Sequence, residues 1–249
     1  MRNWFEQVGS DYRRYRPDYP AQLSIFLAGL APDRRLAVDV GCGNGQLTRQ
    51  LAEQFDQVLG FDASADQIAH AQAHGRVRYQ VSPAEALPVP DHSASLITAA
   101  QAAHWFDLTR FYAEVERIAA EQAILALITY GPPEFEADLQ PRFEQFYEKE
   151  IGPYWPPERQ QVDNGYAGLP FPYPALTYPE LQIRREWDWT MLVGYLSTWS
   201  AMRGVEQAGR MDIVDGFLSA FQPLWGDAGG IRPIRFTIRM RLGQLRRSA

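Results

Sequence analysis

The stretch "LAVDVGCGNGQL" at positions 36–47 leaves this chain few choices of fold. An apolar run, 36–40, breaks into Gly41, Gly43 and Gly45 and then takes on a helical pattern. Strand, glycine turn and helix in that order bring a backbone close to a nucleotide-like ligand. Further apolar runs follow at 57–61, 77–81, 94–100 and 123–129, with helical patterns beginning near Asn44, Ser64 and Asp107. Ser64 and Asp107 are suited to cap those helices, since a short oxygen-bearing side chain can accept a first-turn N–H. Continuous apolar strands separated by helices predict a parallel sheet covered on both faces and joined by right-handed crossovers.

After residue 131 the texture changes. "PPEFEADLQPRFEQFYEKE" reads as a helix entered after prolines, and the following Pro- and aromatic-rich stretch reads as a packed cover. It is too irregular for a sheet interior and too apolar for a disordered linker. "LQIRREWDWT" then reads as a strand, "MLVGYLSTWSAM" and "MDIVDGFLSAFQPLW" as helices. "RFTIRMRL" alternates, with Phe236, Ile238, Met240 and Leu242 on one face and Arg235, Arg239 and Arg241 on the other.

Composition sets outer limits. A chain of 249 residues, 46% hydrophobic and 22% charged, has ample material for one large buried core. No run reaches the ~18 apolar residues of a membrane helix, and the N-terminal stretch lacks a signal-peptide core, so a cytoplasmic protein is expected. A net charge of −6 argues against a general nucleic-acid binder. Lys149 is the sole lysine; the arginine excess reads as coding bias and carries no functional weight. Cys42 is the sole cysteine, which excludes an internal disulfide and reads as a small buried filler. His70 and His74 have zinc-like helical spacing, but no third ligand accompanies them, and a solvated helix face is the better reading. No metal site is expected.

The glycine spacing narrows the ligand. A dinucleotide turn needs its third glycine three residues after the second; here Gly45 follows Gly43 by two, and Gln46 takes that place. Asp39 sits two residues before the first glycine, where a carboxylate would repel a pyrophosphate. Asp62 ends the second strand, well placed to accept both ribose hydroxyls. Acid, three glycines and strand-end acid together describe an adenosine-bearing ligand without phosphates, and so point to S-adenosylmethionine.

With these motifs the chain resembles the class I S-adenosylmethionine-dependent methyltransferases of the type 11 group. "DVGCGNG" is similar to their first motif, "VLGFDAS" to the ribose-binding strand end, and "SPAEALPVPDHSASLITAAQAAHWF" to their third and fourth motifs. "YRRYRPDYP", "AQAAHWFD" and "YLSTWSA" look more narrowly like the trans-aconitate methyltransferase-like branch. The resemblance implies an α/β, Rossmann-like fold: a seven-stranded, mostly parallel sheet, helices on both faces, an antiparallel last strand and a helical, aromatic cover. It implies one domain over 1–249, divided into an N-terminal lid (1–32), a cofactor-binding core (33–131) and a cover with the C-terminal strands (132–249).

Carried over by position, the resemblance places Asp39, Gly41, Gly43 and Gly45 on the methionine and ribose part. Asp62 takes the ribose hydroxyls, and Ala63, Ala84 and Glu85 lie around the adenine. Pro83, before Ala84, departs from the small or acidic residue usual there. Gln101 and Ala102 lie near the reactive sulfur, and Tyr12, Tyr15 and Arg16 fold over the methionine end. The implied reaction is methyl transfer to a small-molecule acceptor, with a carboxylate as the leading class and Arg16, Arg203 and the last strand as available cations. His104, past the fourth strand, is the candidate general base, with a packed loop histidine as the alternative. Two rival readings stay open: a methyltransferase acting on RNA or protein, and a non-catalytic S-adenosylmethionine-binding protein.

Overall fold

The computed structural model describes residues 14–245 apart from residue 228, so Tyr12 lies outside the described residues. The elements run α1 (Ala21–Leu30), β1 (Leu36–Val40), α2 (Gln46–Ala52), β2 (Gln57–Asp62), α3 (Ala65–Ala69) and β3 (Val77–Val81). They continue with β4 (Ala94–Ala100), α4 (Leu108–Ile118), β5 (Ala119–Tyr130), α5 (Gln140–Gln145) and α6 (Arg159–Asp163). Last come β6 (Gln182–Trp187), α7 (Trp189–Ser197), α8 (Ser200–Gln207), α9 (Met211–Trp225) and β7 (Arg232–Gln244).

The seven strands form one sheet in the order β3-β2-β1-β4-β5-β7-β6. The first five pair in parallel, and β7 runs antiparallel to both β5 and β6. This is the expected seven-stranded fold with its antiparallel last strand. Its apolar runs are continuous because the central strands are buried on both faces: β4 exposes only its last residue, and even partially. One face packs Leu23 and Leu27 of α1, Leu47 and Leu51 of α2, and Phe217 and Phe221 of α9. The other packs Phe111 and Val115 of α4 with Val162 of α6 and Tyr166.

Local chemistry sets the element ends. Ser64 Oγ accepts the N–H of Gln67 and Asp107 Oδ1 that of Arg110, so both expected caps form. The helix expected across 191–202 is instead two helices. Ser197 Oγ donates to the Gly194 carbonyl at 2.7 Å and Thr198 Oγ1 to the Tyr195 carbonyl at 2.6 Å. Trp199 then turns to an extended conformation before α8 begins. α5 passes directly into one wide turn, Phe146–Glu150, which seats the Phe146 ring on Phe217 at 3.9 Å. Within the stretch expected as a lid, residues 21–30 form α1, whose Leu23, Leu27 and Ala28 are buried in the core. No helix among the described residues is long and apolar enough to cross a membrane.

The order reverses between β1 and β4, whose C-terminal loops therefore face each other across a crevice. Two glycines make that crevice possible. A Cβ on Gly41 would collide with Ala102 in the opposite loop, and one on Gly45 would run into the Tyr79 ring. Gly45 also holds φ at 89° as the residue that starts α2. Gly45→Ala is therefore expected to lower the free energy of urea unfolding by about 1–3 kcal/mol, the scale of a strained left-handed residue. An unchanged unfolding midpoint would show that the turn tolerates a side chain.

Candidate functional site

Between those loops lies a cavity of about 490 Å³, in the range of small-ligand sites. Its floor is the turn after β1, with Gly41, Cys42, Gly43 and Asn44; one side is Asp62, Ala63 and Ser64 at the end of β2. Ser82, Pro83, Ala84 and Glu85 follow β3, and Gln101, Ala102, Trp105 and Phe106 follow β4. Tyr19 and Tyr130 close the far side. Among the described residues, three that line the cavity are carboxylates and none is a lysine, arginine or histidine.

Asp39 is 0% exposed at the end of the central strand. Thr48 Oγ1 of α2 donates to one carboxylate oxygen at 2.6 Å and Thr98 Oγ1 of β4 to the other at 2.7 Å. Burial outweighs those two bonds, and with the nearby Asp62 charge it pushes Asp39 up to about 6. Asp62 accepts the backbone N–H of Gly43 on Oδ2 and that of Ser64 on Oδ1, each at 2.8 Å. Burial raises its pKa as well, against those N–H bonds. Each Asp62 oxygen keeps a lone pair for a further donor. Cys42 lines the same cavity with its thiol kept protonated by burial and by both carboxylates, which removes it as a nucleophile.

Gln101 holds a positive φ of 55°, unusual for a residue with a side chain. Its backbone N–H bonds Ile128 O at 2.8 Å, its Nε2 donates to Tyr130 O at 2.9 Å, and its Oε1 accepts from Thr129 Oγ1 at 2.8 Å. The side chain is thus tied to β5 and fixes the loop it opens. Glu85 lines the cavity and also accepts the backbone N–H of Asp107 at 2.9 Å.

The cavity gathers most of the residues singled out in the sequence: Asp39, Gly41, Gly43, Asp62, Ala63, Ala84, Glu85, Gln101 and Ala102. Gly45 is not among them, because its freedom is used to start α2 beneath Tyr79. Tyr15 and Arg16 do not line it either. Tyr15 packs on α7 at Gly194, and Arg16 donates to Thr198 O at 3.0 Å, its guanidinium over the Tyr195 ring at 5.3 Å. The backbone carbonyl of Arg16 accepts from the cavity residue Gln46 at 3.2 Å, which ties this segment to the site.

His104 also stands outside the lining. Its Nδ1 meets the Tyr166 hydroxyl at 2.8 Å, and burial, aided by the Arg159 charge, pushes it down to about 3. His70 and His74 face separate carboxylates, Asp66 at 3.5 Å and Glu53 at 3.4 Å. Among the arginines of the last strand, Arg235 is 4.0 Å from Glu134 and Arg241 lies over Phe171 at 5.3 Å. Trp105, Phe106, Tyr130, Asn44 and Gln46 were not singled out from the sequence. Their only signal was position after a strand or a glycine turn.

Residues 38–127 match the methyltransferase domain family. A candidate methyltransferase of Dictyostelium discoideum is 33% identical over 232 residues, spanning 90% of this chain and 88% of that one. The solved structure of a candidate type II methyltransferase from Anaeromyxobacter dehalogenans is 38% identical and superposes with a TM-score of 0.88, covering 94% of this chain and all of that one. A candidate S-adenosylmethionine-dependent methyltransferase of Saccharomyces cerevisiae is 29% identical over 133 residues, half of this chain and 46% of its own length. The chain belongs to the class I S-adenosylmethionine-dependent methyltransferases and draws its methyl group from S-adenosylmethionine.

Proposed function

We propose that the cavity holds the methyl donor with its methionine end over Asp39 and the glycine turn, its ribose at Asp62 and its adenine between Ala63, Ala84 and Glu85. The observation that carries this reading is the lining itself: among the described residues, three carboxylates and no cationic side chain. Such a site suits a ligand bearing an ammonium and a sulfonium and repels a pyrophosphate. When bound, S-adenosylmethionine supplies an electrophilic methyl group on a positively charged sulfur. Gln101, Ala102 and Tyr130 stand where that methyl would be presented. The segment around Tyr15 and Arg16, held to Gln46 and α7, is the lid over the methionine end, and 132–249 forms the cover within one domain.

The acceptor in this reading is a small acid methylated on a carboxylate oxygen. The stretches "AQAAHWFD" and "YLSTWSA" support it through their likeness to the trans-aconitate methyltransferase-like branch. The site's chemistry supports it too, because a carboxylate is already ionised at neutral pH and needs no base. His104, with its pKa near 3 and Tyr166 as partner, is a poor proton acceptor at pH 7. Its role in this reading is to pack the loop. Proximity does the rest: holding acceptor and methyl in line at ~3–3.5 Å can contribute several kcal/mol.

Asp62→Ala should weaken S-adenosylhomocysteine binding by roughly 1–3 kcal/mol in calorimetry, the scale for hydrogen bonds to a charged group. The wild type should show no heat with NAD. Unchanged affinity in the variant would remove Asp62 from the ribose site.

Asp39 generates a pH dependence whose sign can be worked out. Its folded pKa of about 6 lies above the ~3.9 of an unfolded aspartate. The group therefore contributes stability to the free protein below pH ~4 and loses that contribution as pH rises through about 6. A cationic ligand prefers the ionised form, so affinity for S-adenosylmethionine should fall as pH drops through 6, by up to about tenfold per unit. Asp39→Asn should bind more weakly at pH 8 and lose this dependence. A flat profile in the wild type would mean that Asp39 does not sense the ligand's charge.

With S-adenosylmethionine saturating at every pH, so that the Asp39 dependence drops out, kcat for the acceptor should show no ionisation near the ordinary histidine value of 6.5, since His104 stays neutral down to about pH 3. His104→Ala should then act mainly through binding or stability. A loss of ~10²–10⁴ in kcat at unchanged KM, the range of a positioned base, would restore His104 as that base.

A further inference from the structure

Arg159 opens α6 on the cover, and nothing in the cofactor cavity accounts for its surroundings. α6 packs against β5 and the turn Ala103–Trp105, so the arginine stands behind the wall of the site. The guanidinium lies over the Trp155 ring at 4.7 Å and the Tyr147 ring at 5.8 Å, with only 13% of the side chain exposed. Its Nε donates to the Tyr147 hydroxyl at 3.0 Å and to Asp163 Oδ1 at 3.1 Å. Tyr147 also donates to that same carboxylate oxygen, at 2.6 Å. The two terminal nitrogens take no hydrogen-bond partner among the described residues. A planar fork with five N–H groups thus uses one of them.

The neighbours add donors and cations rather than acceptors. Trp155 beside the guanidinium has its indole N–H buried with no partner. Arg16 is near enough to oppose the Arg159 charge, and His104 is held neutral. This donor-rich nest abuts the cavity at two places. The His104 ring lies 4.8 Å from that of Trp105, a lining residue, and Tyr195 couples electrostatically to Arg16, Arg159 and the lining residue Tyr130. A buried indole N–H without an acceptor among the described residues is costly, and a guanidinium fork matches an oxyanion through paired hydrogen bonds.

We propose that Arg159 is a specificity-determining residue of the acceptor site, receiving on its terminal nitrogens an oxyanion of the acceptor that is separate from the atom being methylated. Trp155 Nε1 is the second donor to that group. The proposal rests on the reading that a small molecule occupies the space between the cofactor and the cover. It assigns the anchor of that molecule, whereas the carboxylate reading above concerns its nucleophile.

The test uses the full chain saturated with S-adenosylhomocysteine. Calorimetry and thermal melting follow the binding of succinate, tricarballylate and glycerol phosphate, with succinamide and glycerol as uncharged counterparts. At least one oxyanion should bind and its uncharged counterpart should not. A preference for the carboxylates or for glycerol phosphate identifies which oxyanion the nest takes. Arg159→Gln should weaken that binding by at least about tenfold, as expected for loss of a charge-assisted pair, while Arg159→Lys keeps part of it. Binding of S-adenosylhomocysteine, measured alone in each protein, should change less than about twofold; because it reports the cofactor site separately, a failure there cannot be mistaken for a failure here. With an acceptor that turns over, Arg159→Gln should raise KM and spare kcat. Oxyanion binding unaltered in Arg159→Gln, or no oxyanion bound by the wild type, would overturn the proposal. If the glutamine variant fails to fold, Arg159→Lys decides in its place, and oxyanion binding as tight as in the wild type would then overturn the proposal.

Discussion

The Asp39 carboxylate, held at the end of the central strand by two threonine hydroxyls, is the constraint on which the site depends. Its partners come from different elements, Thr48 from α2 and Thr98 from β4. One buried group therefore fixes the helix after the glycine turn and the strand across the reversal point of the sheet. A buried carboxylate without a cation is expensive, and two neutral hydroxyls do not offset the whole cost, as its pKa of about 6 records. Asp62 adds a second charge nearby, steadied by the N–H groups of Gly43 and Ser64. The free protein thus carries a negative field at the mouth of the sheet. A cationic ligand in that place relieves a strain that the fold itself creates.

The second half of the chain gives that charged mouth a dry wall. β7 runs back along β5 and brings β6 beside it, and α7, α8 and α9 bury Tyr195, Trp199, Phe217 and Trp225 against this edge of the sheet. The aromatic rings interlock: Trp199 lies 5.1 Å from Trp155, 5.6 Å from Tyr147 and 5.7 Å from Tyr195. Gly194 belongs to this arrangement, since a side chain there would displace Tyr15 from α7. The packing therefore seats the segment at Tyr15 on α7.

Much of this was legible in the residues, for identifiable reasons. Strands buried on both faces leave unbroken apolar runs, so β1 and β4 are readable to the residue, while the exposed edge strand β3 is legible from the alternation of VRYQV. Capping side chains announce α3 and α4. α1 escaped notice because Pro20 offers no capping side chain and "AQLSIFLAGL" has no polar face to set a period. The break between α7 and α8 depends on Ser197 and Thr198 turning back to carbonyls three residues earlier, a competition that apolar periodicity does not reveal. At the site, Asp39, the first two glycines and Asp62 were legible from the spacing of acid and turn, and all four line the cavity. Gly45 answers a demand of the chain, and its spacing looks the same. The partner of His104 is Tyr166, 62 residues away, and no local pattern announces such a pairing.

The two halves place carboxylates in the lining of the site and guanidinium groups behind it, on the side of the cover. Asp39, Asp62 and Glu85 line the side formed by β1, β2 and β3. Arg16 and Arg159 lie on the side of the cover, close to Tyr195. Trp105, Phe106 and Tyr130 separate these two sides with aromatic surface. If the acceptor is the proposed anion, such a division orients it and the cationic donor before they meet, which removes the entropy of finding each other. It also suits the chemistry between them. Methyl transfer from a sulfonium to a carboxylate cancels two charges, so the transition state carries less charge than the reactants. Water stabilises the separated charges more than it stabilises that transition state. Aromatic walls that exclude water would favour such a step, while the fixed carboxylates stand in for water around the cationic donor and, in the proposed reading, the guanidinium groups do so around the acceptor.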